Sequence, residues 1–121
     1  MREPLPATGV QLYRVAQQYH LEEPVAPLFG WLACHGEICA LLLEAVEPLH
    51  EAFGADAELV FYLGPPDVDT DDGVDVVGRA MVVVHGAEAV ELAEAALRAF
   101  DKAWWCGQCH RSAGLLIFDW E

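Results

Sequence analysis

A chain of 121 residues, 55% hydrophobic and 21% charged, is long enough to bury roughly two-thirds of its unfolded surface as a single domain, so its core requires neither metal nor disulfide. Twenty Asp and Glu against six Lys and Arg leave a formal charge of −14, which repels phosphate backbones and anionic membranes and so argues against direct nucleic-acid or membrane partners. The same charge has a plain reading, solubility, and a sharper one, attraction to a basic protein partner or mimicry of a nucleic acid.

Met1–Gly9 is Pro-containing and expected to fray, and it holds no apolar stretch of the kind a secretory signal needs, so a cytoplasmic location is expected. The most apolar window, Val25 to Val46, is interrupted by His35, Glu37 and Glu44 and by Pro27, Gly30 and Gly36. It matches poorly the about 20 clean apolar residues of a membrane span.

Leu12, Val15, Ala16 and Tyr19 fall at i, i+3, i+4 and i+7, which predicts a helix from Val10 to His20 ended by Pro24 and Pro27. From Leu28 to Phe53 the period is again helical. Trp31, Cys34, Ile38, Leu41 and Ala45 form one stripe, and Leu28, Leu32, Cys39, Leu42 and Val46 run beside it, so the helix is expected to be largely buried. Gly36 can interrupt it, Pro48 is expected to kink or restart it, and Gly54 closes it.

Leu59 to Leu63 and Val76 to Val84 are rich in β-branched and aromatic residues and flank the polar stretch Gly64 to Asp75, which predicts a hairpin with a long acidic loop. Both strands are apolar on both faces, so one face can meet helices and the other a partner or a further helix. Val90, Ala93, Leu97, Phe100 and Trp104 keep helical spacing from Ala87 to Trp104, with Glu88, Glu91, Glu94, Arg98 and Lys102 facing water. Gly114 precedes a closing strand, Leu115 to Trp120. The whole predicts one α+β domain, a three-stranded sheet with helices packed on it in the order ααββαβ.

The segments Phe53-Gly54-Ala55-Asp56-Ala57-Glu58-Leu59-Val60, Phe100-Asp101-Lys102-Ala103-Trp104-Trp105 and Gly114-Leu115-Leu116-Ile117-Phe118-Asp119-Trp120-Glu121 carry a resemblance. Over somewhat more than its C-terminal half the chain resembles a group of small uncharacterised bacterial proteins with a Phe-Asp-x-x-Trp-Trp helix end. The resemblance brings no activity, ligand or catalytic residue with it. Cys106 stands where the group tends to have Leu, so the cysteine cluster reads as an addition. By spacing alone, Trp105 lies off the buried face near the helix end, where an exposed indole would anchor a protein partner; the alternative is a last core turn with both rings buried.

Trp105-Cys106-Gly107-Gln108-Cys109-His110 admits three chemistries. Thiol–disulfide exchange is disfavoured because the pair follows a helix instead of opening one, so the dipole opposes a thiolate, and Gln108 stands where Pro is usual. The literal c-type haem pattern lacks an export signal. Zinc is the more serious candidate: Cys106 and Cys109 can bite one tetrahedral ion, with Cys39 and His35, spaced i,i+4, completing a Cys3His site and Cys34 and His110 as substitutes. Against it, Cys34 and Cys39 lie on apolar stripes, where a free cysteine behaves as a small hydrophobe. Asp67, Asp69, Asp71, Asp72, Gly73 and Asp75 evoke a calcium loop, but Gly73 comes one place late and Gly78 stands where the bidentate Glu belongs. His20, His50 and His85 are isolated, and no G-x-S-x-G, phosphate loop, dinucleotide fingerprint or H-E-x-x-H occurs.

The expectation is a non-enzymatic interaction module, an adaptor, immunity-like or regulatory protein, without cofactor. Its acidic face, Asp67, Asp69, Asp71 and Asp72, together with Trp105 would meet a basic protein partner or a second copy of the chain. The alternative is a zinc-stapled or thiol-reactive protein.

Overall fold

The computed structural model of the chain describes residues 6–65 and 76–121. Thr8 sets the first helix, α1 (Gly9–Gln18): its hydroxyl accepts from the Gln11 N–H at 3.1 Å while the Gln11 side chain accepts from the Thr8 N–H at 2.9 Å. That reciprocal box satisfies two donors the first turn otherwise leaves open. Val15 and Tyr19 are buried as the period requires, whereas Ala16, expected on the same face, is exposed. The Tyr19 hydroxyl donates to the Leu42 carbonyl at 2.6 Å, so the phenol carries its polar end into the core with a partner.

Helix α2 (Val25–Ala33) starts three residues before the expected Leu28 and contains Pro27. Pro27 falls in the first turn, where an N–H would have no helical acceptor, so it is tolerated there. Cys34 and His35 separate α2 from α3 (Gly36–Phe53), and the two axes are bent by 104°. Among the described residues no single helix is long and apolar enough to cross a membrane; α2 and α3 pass that test by length and composition only when taken together across this bend. The fresh start that Pro48 allowed does not occur, and α3 runs through it. Burial of Ala45 and Leu49 on either side holds the turn in place despite the missing N–H. Each fully buried leucine of α3, Leu41, Leu42 and Leu49, contributes about 1.5–3 kcal/mol of transfer free energy.

Strands β2 (Glu58–Gly64) and β3 (Val77–Val83) pair antiparallel from Glu58↔Val83 to Gly64↔Val77, the expected hairpin. The loop with Asp67, Asp69, Asp71 and Asp72 lies outside the described residues. Among the described residues the sheet has four strands, not three: a two-residue strand β1 (His20–Leu21) pairs parallel to β2, and β4 (Leu116–Trp120) pairs parallel to β3, in the order β1-β2-β3-β4. Two residues are too few to show a period of two, so β1 left no pattern in the sequence. Alternation sends Leu59, Phe61, Ala80, Val82, Leu116 and Phe118 into one core with the helices. Val60, Tyr62, Arg79, Met81, Ile117 and Asp119 share the opposite face by register. Among them Val60 and Met81 are buried.

Between β3 and β4 the chain runs through α4 (Ala87–Phe100) into a π-helical turn (Asp101–Trp105), one α turn (Cys106–Gln108) and a 3-10 turn (Cys109–Ser112). The expected helix therefore extends beyond Trp104 but changes pitch at the Phe-Asp-x-x-Trp-Trp motif. A one-residue widening of this kind rotates the succeeding turns relative to the stripe before it. Ala93 and Phe100 are buried as expected, Leu97 and Trp104 partly so, while Val90 is 45% exposed.

Candidate functional site

The helical run after β3 places the cysteine motif. Phe118 of β4 receives an edge-to-face ring from each of three aromatics, Phe100 (centroids 5.1 Å apart), Trp104 (6.2 Å) and Trp105 (4.7 Å). The two indoles stack at 5.9 Å. Trp105 is thus half-buried against the core and not the free anchor that spacing alone allowed, because the π turn swings it back over β4.

The next two turns are clasped to α3 by Arg111. Its guanidinium donates to Glu37, to both oxygens of Glu44 at 3.2 and 2.9 Å, and to the Gln108 side-chain carbonyl at 2.9 Å. The hydrogen bonds from Arg111 hold the Glu44 carboxyl below the usual carboxylate range, and the two glutamates raise the guanidinium further above its own. Ser112, buried below, donates to the Cys109 carbonyl at 2.7 Å.

On this clasp Cys106 and Cys109 are both exposed free thiols, one helical turn apart, with the Cys109 Sγ 3.7 Å from the Cys106 carbonyl. The candidate zinc ligands are not assembled into a cluster in this structure. Among the described residues no three His, Cys, Asp or Glu side chains come together so as to hold a metal ion. Cys106 and Cys109 are therefore not joined by Cys39 and His35, nor by the substitutes Cys34 and His110. The reason lies in the corner between α2 and α3. Cys39 is buried, its thiol directed at the Leu32 carbonyl at 3.5 Å and pushed up to about 11 by desolvation. His35 is stacked on Trp31 with centroids 4.2 Å apart, its Nδ1 2.6 Å from the Trp31 carbonyl.

Two features had no counterpart among the residues that spacing singled out. The Asp101 carboxyl is held above its ordinary range, first by desolvation and second by the charge of Asp119 on β4. The other is a groove of about 520 Å3 between the last turn of α3 and the start of α4, lined by Ala52, Phe53, Val84, Ala89, Leu92 and Ala96 among others. Leu92 stands in it 61% exposed. Glu88 lines the groove itself and Asp56 a depression that shares Phe53, Val84 and Ala89 with it; among the described residues neither lining contains Lys or Arg. His85, between the two, faces Glu58 at 3.6 Å. The available signal was Leu92 itself, an apolar residue off the Ala93, Leu97, Phe100 stripe and among Glu88, Glu91 and Glu94.

No family model, curated protein or solved structure matches the chain.

Proposed function

We propose that this protein is a small acidic, non-enzymatic interaction module whose partner is a basic protein. The observation that carries the reading is the pairing of the −14 formal charge with its placement: Glu47, Glu51, Asp56, Glu58, Glu88, Glu91 and Glu94 are all exposed, and Glu88 and Asp56 line an adjoining apolar groove and depression that hold no Lys or Arg among the described residues. An uncompensated anionic surface steers and selects a cationic partner and disfavours acidic ones, while the apolar patch supplies affinity that charge alone does not. The test is capture from lysate at about 50 mM and about 500 mM NaCl, concentrations between which the screening length falls several-fold. The reading expects a stoichiometric basic protein retained at low salt and released at high salt. Retention indifferent to salt, or of an acidic protein, contradicts it.

A second reading, a thiol-reactive protein, is favoured by the exposure of Cys106 and Cys109 on one turn. Its test is whether excess oxidised glutathione, as the disulfide oxidant, converts this pair into an intramolecular disulfide, two glutathiones being released for the two thiols oxidised. Persistent mixed disulfides or unreacted thiols count against it.

A further inference from the structure

Resting on the reading of an acidic module for a basic partner, we propose that the groove between α3 and α4 seats an amphipathic cationic helix of that partner, its apolar stripe packed against Leu92 and its lysine or arginine side chains over the acidic rim. The floor is built for close approach. Ala89, Ala93 and Ala96 rise on one side of α4 at helical spacing, and Ala52 and Phe53 face them from the end of α3. From Ala87 to Ala96 the floor is about 14 Å long, the length of between two and three helical turns. That span fits the i, i+3, i+4, i+7 anchors through which a helix lies in an apolar groove.

Leu92 is the feature that a monomer by itself does not explain. Isolated exposed apolar residues are ordinary, but Leu92 lines an open groove whose other apolar walls are Ala52, Phe53, Val84, Ala89 and Ala96, so the apolar surface is continuous there. Charge selects the occupant. A second copy of this chain would bring another −14 against Glu88 and Asp56, and a neutral helix would leave those two carboxylates uncompensated at the rim. A helix with cations flanking its apolar stripe answers both, because long Lys and Arg stems extend the apolar contact while their heads reach the carboxylates.

The test uses the full chain, isotope-labelled, and a synthetic helix of about 14 residues with leucines at i, i+3, i+4 and i+7 and lysines elsewhere. A matching peptide with glutamate in place of lysine is the control. The proposal expects amide shifts centred on Ala52, Val84, Ala89, Leu92 and Ala96 with the lysine peptide alone, and at least tenfold weaker binding to Leu92→Asp and to Ala89→Arg. Tyr13→Ser, which changes an exposed apolar residue on α1 that is 65% accessible, should bind as the unaltered chain does. Shifts centred on Val10 and Tyr13, or spread over the acidic surface and untouched by Leu92→Asp, would overturn the groove and leave the basic-partner reading standing. Equal binding of the glutamate peptide would overturn both. Concentration-dependent self-association mapping to Leu92 would overturn the proposal in favour of a second copy, and absence of binding by the lysine peptide would overturn it outright.

Discussion

Arg111 grips Glu44 with both arms of its guanidinium, Nη1 to Oε1 at 3.2 Å and Nη2 to Oε2 at 2.9 Å, across 67 positions of sequence. With Glu37 on the same helix and Gln108 on its own turn, this fork is what fixes the cysteine-bearing turns to α3. A two-pronged pair in a network is the kind of surface ion pair that contributes to stability. Arg111→Met is expected to cost about 1 kcal/mol, seen as a lowered Tm in low salt, with the difference shrinking in high salt. An unchanged Tm would show that the turns are held by the aromatic cluster instead.

The same fork has a pH signature. Glu44 has its carboxyl lowered in the fold, so its contribution is present above the ordinary glutamate value of about 4.3 and is lost as pH falls through the lower folded value. Glu44→Gln should therefore narrow its stability deficit against the unaltered chain as pH is taken below about 4 in thermal melts. A deficit constant down to the acid limit would contradict the ionic account.

Asp101 has the opposite sign. Its carboxyl is raised by burial and by Asp119, so the folded state prefers the protonated form, and stability falls as pH rises from the ordinary aspartate value through the raised one. Asp101→Asn is expected to raise Tm at neutral pH and to leave it nearly unchanged near pH 3, about a unit below the ordinary value. A loss of stability at neutral pH would mean that the carboxylate is needed where it stands.

Cys34, Cys106 and Cys109 are exposed and Cys39 is buried. A chromogenic disulfide reagent should accordingly titrate three thiols in the native protein and the fourth on unfolding, and Cys39→Ser should lose only the equivalent that unfolding releases. Four fast equivalents would place Cys39 outside the core.

At Gly78 on β3 an added Cβ would lie 2.7 Å from the Phe61 ring and 3.2 Å from the Trp31 ring, both committed to the core. Gly78→Ala is expected to destabilise by about 1–3 kcal/mol, the usual cost of overpacking. Denaturant unfolding measures it, and an unaltered midpoint would show that the rings move aside freely.

Long, periodic segments were legible in the sequence: α1, the hairpin β2–β3, α4 and β4 lie within a few residues of where the apolar spacing put them. Shorter and irregular features were not. β1 has two residues and exists because β2 offers it an edge, a tertiary fact. The π turn at Asp101–Trp105 keeps helical composition, so nothing in the spacing marks the change of pitch that turns Trp105 onto Phe118. The candidate zinc ligands stay apart because of a corner: His35 and Cys39 are four apart, but His35 precedes the first turn of α3 and stacks on Trp31, so the spacing does not put both on one helical face. The groove was hidden for a related reason, since it joins Ala52 and Phe53 to Leu92 across a helix pair whose packing no local pattern reports.

The most direct measurement is the affinity of the basic protein captured at low salt for the unaltered chain and for Leu92→Asp, each titrated calorimetrically across NaCl concentrations. The account predicts that affinity falls steadily with salt for the unaltered chain and is at least tenfold weaker for the variant at every salt, a difference of about 1.4 kcal/mol or more. Equal affinities for the two chains, or affinity insensitive to salt, would contradict it.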